Sequence, residues 1–200
     1  REVYQNMPQV KILNLRLAQV GEPDDPALYM EKPPVQIEEL KERFNGFLFE
    51  ITQAKWHRIV RHILGKYQKE FFEFPAAKKN HHAFVGGLAY HTVTMLELAK
   101  SVCQQYPELN PSLLYAGVIL HDIGKVKELS GPVGTEYTLA GNLLGHIVMV
   151  DEEITKACVE LNISEMDEEV LVLKHVVLAH HGLLEYGSPV RPKIMEAEIL

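Results

Sequence analysis

An apolar helical run, Leu113-Leu-Tyr-Ala-Gly-Val-Ile-Leu120, closes on His121-Asp122. A run apolar nearly all round reads as a core helix, so it delivers an imidazole and a carboxylate to the end of a buried element. Burying such groups unpaired costs roughly 2 kcal/mol or more each, and far more for a charge. A metal ion satisfies both at once, and other histidines of the chain are spaced so that several converge on the same ion.

The 200 residues, 46% hydrophobic and 24% charged, fit one well-packed soluble domain with a piece of a second. The run from Leu113 to Leu120 is the longest apolar stretch and falls far short of a membrane span, and no signal segment opens the chain. A cytoplasmic protein without membrane association is expected. Cys103 and Cys158 fall at apolar positions of helical patterns and form no CxxC, which argues against thiolate zinc and a disulfide framework. The net charge of −7 disfavours a surface that grips long nucleic acid through many phosphate contacts. It leaves room for a local cationic pocket that holds one phosphate.

Both ends read as cut. The chain opens at Arg1, and Leu13, Leu15 and Leu17 alternate with Asn14 and Arg16 in the half-buried strand period. Glu2-Val-Tyr before Asn6-Met-Pro8 suggests a hairpin partner. Two strands cannot bury a sheet face alone, so residues 1–20 are expected to be the tail of a truncated β domain. Residues 21–35, with Pro23, Pro26, Pro33 and Pro34, read as a Pro-rich linker, and residues 36–200 as a helical domain. Within it Ile37, Leu40, Phe44, Phe47 and Ile51 recur at helical spacing, as do Trp56, Ile59, Ile63 and Tyr67. Further helices are expected at about 86–105, 111–123, 142–161, 167–181 and from 192 onward, and the aromatic stripes are assigned to the core. The helix from 192 stops at Leu200 without a cap.

Of the ten histidines, His57 and His62 lie among Lys55, Arg58 and Arg61 and read as a solvated basic face. His91 begins a helix with apolar neighbours at helical spacing, His146 opens another, and His180-His181 ends an almost wholly apolar one. His175 lies about 140 degrees from His180 around its helix and reads as structural. Imidazole with carboxylate suits manganese, iron, zinc or cobalt. The ligand set exceeds one tetrahedral shell, so it implies either one open-coordinated metal with outer histidines or two metals sharing Asp122.

The succession His91, His121-Asp122, His146, His180-His181 resembles the HD-domain phosphohydrolase superfamily over residues 80–200. The flanking words are similar to the YhaM-type 3′-to-5′ exoribonucleases of Gram-positive bacteria. They include Asn80-His-His-Ala-Phe, Gly87-Leu-Ala-Tyr-His-Thr, Glu128-Leu-Ser-Gly-Pro, His180-His-Gly-Leu-Leu-Glu-Tyr and Met195-Glu-Ala-Glu. The resemblance implies a mainly α fold, an HD helical bundle, with the N-terminal β remnant of an OB-fold. It implies His91, His121 and Asp122 as ligands of a first metal, and His146, His180 and His181 as candidates for a second or for substrate contact. It also implies a divalent cofactor, manganese with cobalt, iron, zinc or magnesium as alternatives, and a single-stranded RNA or DNA substrate. Homo-oligomerisation stays open. Such proteins close the first shell with a later aspartate; after Asp167 this chain has none, and that residue is expected beyond Leu200.

In that setting hydrolysis releases the adjoining nucleotide's 3′ oxygen. Lys125 would hold the phosphate as a point charge, or serve only as a lysine favoured by a helix C-terminus. His82 would donate to a phosphate or to the leaving oxygen, with His81 its exposed neighbour. Tyr186 and Arg191 would contact substrate or anchor their loop. The competing readings are an HD-type mononucleotide phosphohydrolase or signalling-nucleotide phosphodiesterase, a nucleic-acid-binding regulatory module with a vestigial site, and a di-iron oxygenase.

Overall fold

The computed structural model describes residues 2–4, 7–24, 26–29, 31–78 and 82–200. The chain divides into two compact units, Arg1–Met30 and Glu31–Leu200. In the first, strand β1 (Glu2–Tyr4) pairs antiparallel with β2 (Met7–Gln9), with Val3 opposite Pro8. The strand expected over Leu13, Leu15 and Leu17 is not formed, and all three leucines are exposed. An alternating pattern makes a strand only where a neighbouring strand takes up its hydrogen bonds and something covers its apolar face. Among the described residues of this unit no third strand does so.

The second unit is helical: α1 (Ile37–Glu50), α2 (Ala54–Glu73), α3 (Gly87–Gln105), α4 (Pro111–Leu120), α5 (Lys125–Glu128), α6 (Leu139–Leu144), α7 (His146–Leu161), α8 (Glu168–Ala179) and α9 (Met195–Ile199). The chain is thus mainly α. Helix α4 is its axis. Every residue from Ser112 to Leu120 is buried, and the helix packs against α1, α2, α3, α8 and α9. The all-round apolar composition has this physical meaning, since a helix with no polar face needs neighbours on every side. Its start is set by Pro111 in the first turn and by Asn110, whose side-chain oxygen accepts from the Leu113 amide at 3.2 Å.

Around α4, the aromatic stripes pack as core. Phe44 lies against Phe71 and Phe72 with ring centroids 5.1 and 5.7 Å apart. The Trp56 indole donates to the Glu169 carbonyl at 2.7 Å and ties α2 to α8. Cys158 is buried, Cys103 is half-buried, and both are free thiols. The sequence predicts one helix over 142–161, and here the structure differs. Gly145 takes φ 75° and ψ 158°, which splits the segment into α6 and α7. That conformation belongs to glycine, and it makes His146 the first residue of a new helix. No helix among the described residues is long and apolar enough to cross a membrane.

Leu114 is fully buried in α4. Leu114→Ala should destabilise the fold by about 2–5 kcal/mol, lowering the melting midpoint by roughly 2–4 °C for each kcal/mol. Calorimetry of the two proteins measures the shift.

Candidate metal centre

The residues that converge sit at or near helix ends. His121 caps the C-terminus of α4, with Asp122 in the turn that follows. His180 caps α8, with His181 next to it. His146 opens α7, and His91 lies in the second turn of α3. The turn after Asp122 is pressed against the start of α7. A Cβ on Gly124 would lie 2.4 Å from the His146 carbonyl oxygen, so only glycine lets the two segments approach this closely.

Asp122 lies at the centre, with 4% of its surface exposed. Its Oδ2 is 3.3 Å from His121 Nε2, 3.8 Å from His91 Nε2 and 2.7 Å from Lys125 Nζ. Its Oδ1 faces the other way, 3.3 Å from His146 Nε2. The imidazoles form a continuous series. Ring centroids are 5.6 Å apart for His91 and His121, 5.1 Å for His121 and His180, and 4.4 Å for His180 and His181. His146 joins both ends of the last pair, 5.6 Å from His180 and 5.2 Å from His181.

Backbone carbonyls aim these rings. His121 Nδ1 donates to the Val118 carbonyl at 2.8 Å, and His180 Nδ1 to that of Val177 at 2.6 Å. The device is the same in both: a ring at the C-cap binds a last-turn carbonyl of its own helix, whose carbonyls would otherwise run out of partners. His181 Nδ1 donates to the Tyr186 carbonyl at 2.6 Å, while the His181 amide donates to the buried Ser188 hydroxyl at 3.1 Å. With Nδ1 committed to a carbonyl, Nε2 is the nitrogen left facing the centre, which is the usual arrangement of a metal-binding histidine.

Electrostatics keep the set ready for a cation. Burial, reinforced by His121, pushes His91 down to about 4 and His180 down to about 3, so both rings are neutral near pH 7. For Asp122 burial works toward protonation, but His121, Lys125 and His146 outweigh it and hold the carboxyl well below its ordinary value. Glu128 follows the same pattern: burial opposes ionisation, and His146 prevails and lowers it.

Two groups of three ligands result, His91 with His121 and Asp122, and His146 with His180 and His181. Within each, the ligand atoms lie within 4.8 Å of one another. Nε2 of His146 and of His180 is buried without a hydrogen-bond partner. Buried polar atoms are seldom left so, and neutral imidazole with carboxylate is a donor set that divalent metals accept. The residues fit a metal.

The other sequence-predicted positions divide. Lys125 is drawn in, its ammonium serving as counter-charge to Asp122. His82 adopts φ 61°, and its ring centroid lies 5.3 Å from that of His91. His81 falls outside the described residues. The Tyr186 side chain is exposed; what this residue gives the cluster is its backbone carbonyl. Arg191 is exposed in the loop before α9. His175 Nε2 accepts from the Lys193 amide at 3.0 Å, away from the cluster, and His62 pairs with Glu160 at 2.7 Å.

Sequence reasoning gave Glu128 no role. Its Oε1 accepts from both the His146 amide and His146 Nδ1, each at 3.0 Å, so it orients that ring as the carbonyls orient the others. The sequence carries no signal for it, since Glu128 follows Lys125 and Lys127 and reads as a surface carboxylate beside lysines.

The family described as HD domain matches residues 88–200, the segment that carries the whole cluster except His82. No solved structure matches the chain.

Two outcomes are expected. In EDTA, stability should fall as pH drops from 6.5 toward 3, because His91 and His180 titrate lower folded than unfolded, so the unfolded chain binds more protons across that window. Thermal melts at pH 7, 5.5 and 4 measure this, and a flat profile contradicts it. Glu128→Gln should weaken metal binding by about 10–100-fold with the helical circular dichroism retained, as read by metal titration.

Proposed function

The chain belongs to the HD-domain family, and on that premise we propose that it is a metal-dependent phosphodiesterase that degrades single-stranded RNA from its 3′ end, releasing nucleoside 5′-monophosphates. HD domains are generally metal-dependent phosphohydrolases. The observation that carries the hydrolytic reading is Asp122, with Oδ2 toward His91 and His121 and Oδ1 toward His146. The choice of RNA rests on the wider sequence resemblance, as does the assignment of residues 1–20 to a nucleic-acid-binding module joined through 21–35.

His91, His121 and Asp122 would hold one divalent ion, manganese in this reading, and His146, His180 and His181 a second. When bound, such ions supply polarisation of a phosphoryl oxygen and acidification of a water for in-line attack. The chain's own groups do the rest. Asp122 stays ionised and would serve as an anionic ligand. Lys125, beside Oδ2, offers a point charge to an entering phosphate. His82, next to His91, donates a proton to the departing 3′ oxygen. Arg191, exposed and without an ion pair among the described residues, meets a substrate phosphate beyond the cluster, and Tyr186 fixes His181 through its carbonyl.

With manganese and a short single-stranded RNA, the full chain should release nucleoside 5′-monophosphates progressively from the 3′ end. His121→Ala and Asp122→Ala should each slow release by on the order of 100-fold or more, since even residues that merely orient ligands cost 10–100-fold. Equal release by both variants would sink the assignment. Hydrolysis of a mononucleotide with the RNA left intact would move it to a mononucleotide phosphohydrolase.

A further inference from the structure

Helices α1 and α2 are consecutive and meet through Phe44 against Phe71 and Phe72, and each also packs on α3 and α4. A cavity of about 240 Å³ lies between them, slightly below the roughly 300–1,000 Å³ usual for ligand pockets. It adjoins a second of about 650 Å³, with which it shares Lys41, Gly65, Gln68 and Phe72. Neither helix carries a residue of the histidine cluster.

The lining has three chemical parts. The floor is apolar and aromatic, formed by Phe44, Leu64 and Phe72. Two carboxamides, Asn45 and Gln68, stand on opposite walls, exposed and without a side-chain hydrogen bond among the described residues. The rim is charged, with cations in excess: Lys41, Arg61, Lys66 and Lys69 stand against Glu70 and Glu73, which line the second cavity. Lys41, Arg61 and Lys69 are exposed and make no ion pair among the described residues, and the Lys41 ammonium lies 5.6 Å from the Phe72 ring centroid. On a chain of net charge −7, this local excess of cations over carboxylates favours an anion.

Gly65 supplies an independent argument. It sits inside α2, where glycine costs about 1 kcal/mol relative to alanine. Packing does not require it, since a Cβ there would meet nothing within 4 Å. What a side chain at this position would do is occupy the groove.

We propose that the α1–α2 groove is a nucleotide-binding site separate from the histidine cluster, taking a nucleoside monophosphate with its base on the aromatic floor. Asn45 and Gln68 meet the hydrogen-bonding edges of the base, and Lys41, Arg61 and Lys69 meet the phosphate. The proposal stands apart from the phosphodiesterase reading, because it uses none of the same residues.

The test is calorimetric titration of adenosine 5′-monophosphate into the full chain in EDTA, so that no metal contributes. One equivalent should bind, and Asp122→Asn should bind it equally. Gly65→Leu and Arg61→Ala should each weaken binding at least tenfold, with melting midpoints confirming that both variants are folded. Inorganic phosphate and a hexaglutamate peptide should compete at least tenfold less well. Absence of binding in EDTA, binding untouched by both groove variants, binding lost in Asp122→Asn, or equal competition by either anion would overturn it.

Discussion

A carboxylate without water is the condition that the helical unit is built to meet. Asp122 is almost wholly enclosed, and left alone it would take up a proton. Its charge survives because His121, Lys125 and His146, carried by the end of α4, by α5 and by α7, stand within 4 Å of its oxygens, where neutral His91 of α3 joins them. Removing a partner from such a buried ionic group ordinarily costs about 3–5 kcal/mol. The convergence of four helices on one turn is therefore an energetic requirement of the fold as well as a feature of its chemistry.

The cluster is also an exercise in using helix ends. A helix interior satisfies its own carbonyls, whereas the last turn leaves them available. His121 and His180 both bind those carbonyls through Nδ1, which turns Nε2 toward the centre. Where a ring opens a helix, no such carbonyl is at hand. There His146 relies on Glu128, which takes both the free amide and the ring nitrogen.

Much of this was legible in the chain. Apolar spacing marks the helices from Ile37 onward, and the blank polar face of α4 marks the core axis. The six residues His91, His121, Asp122, His146, His180 and His181 stand out because polar groups in apolar helices need partners, and the fold brings them together. The failures are those where local pattern yields to context. Leu13, Leu15 and Leu17 alternate as a strand would but lie exposed and unpaired. Gly145 breaks what periodicity joins, because one backbone angle decides it. Glu128 was invisible as an orienting group, since its direction depends on how the segment between α5 and α7 folds back. Tyr186 contributes a main-chain oxygen, which no side-chain pattern announces.

The ligands hang on frames of unequal permanence. His121 and Asp122 end α4, enclosed by five other helices, so they separate only when the unit opens as a whole. His181 is aimed by a carbonyl in a surface loop where Leu183, Leu184 and Tyr186 are all exposed. Loops with few buried contacts open at a small fraction of the global free energy. Within the second group His146 and His180 are held by α7 and α8 and share the lifetime of the fold, whereas His181 alone has the lifetime of a loop.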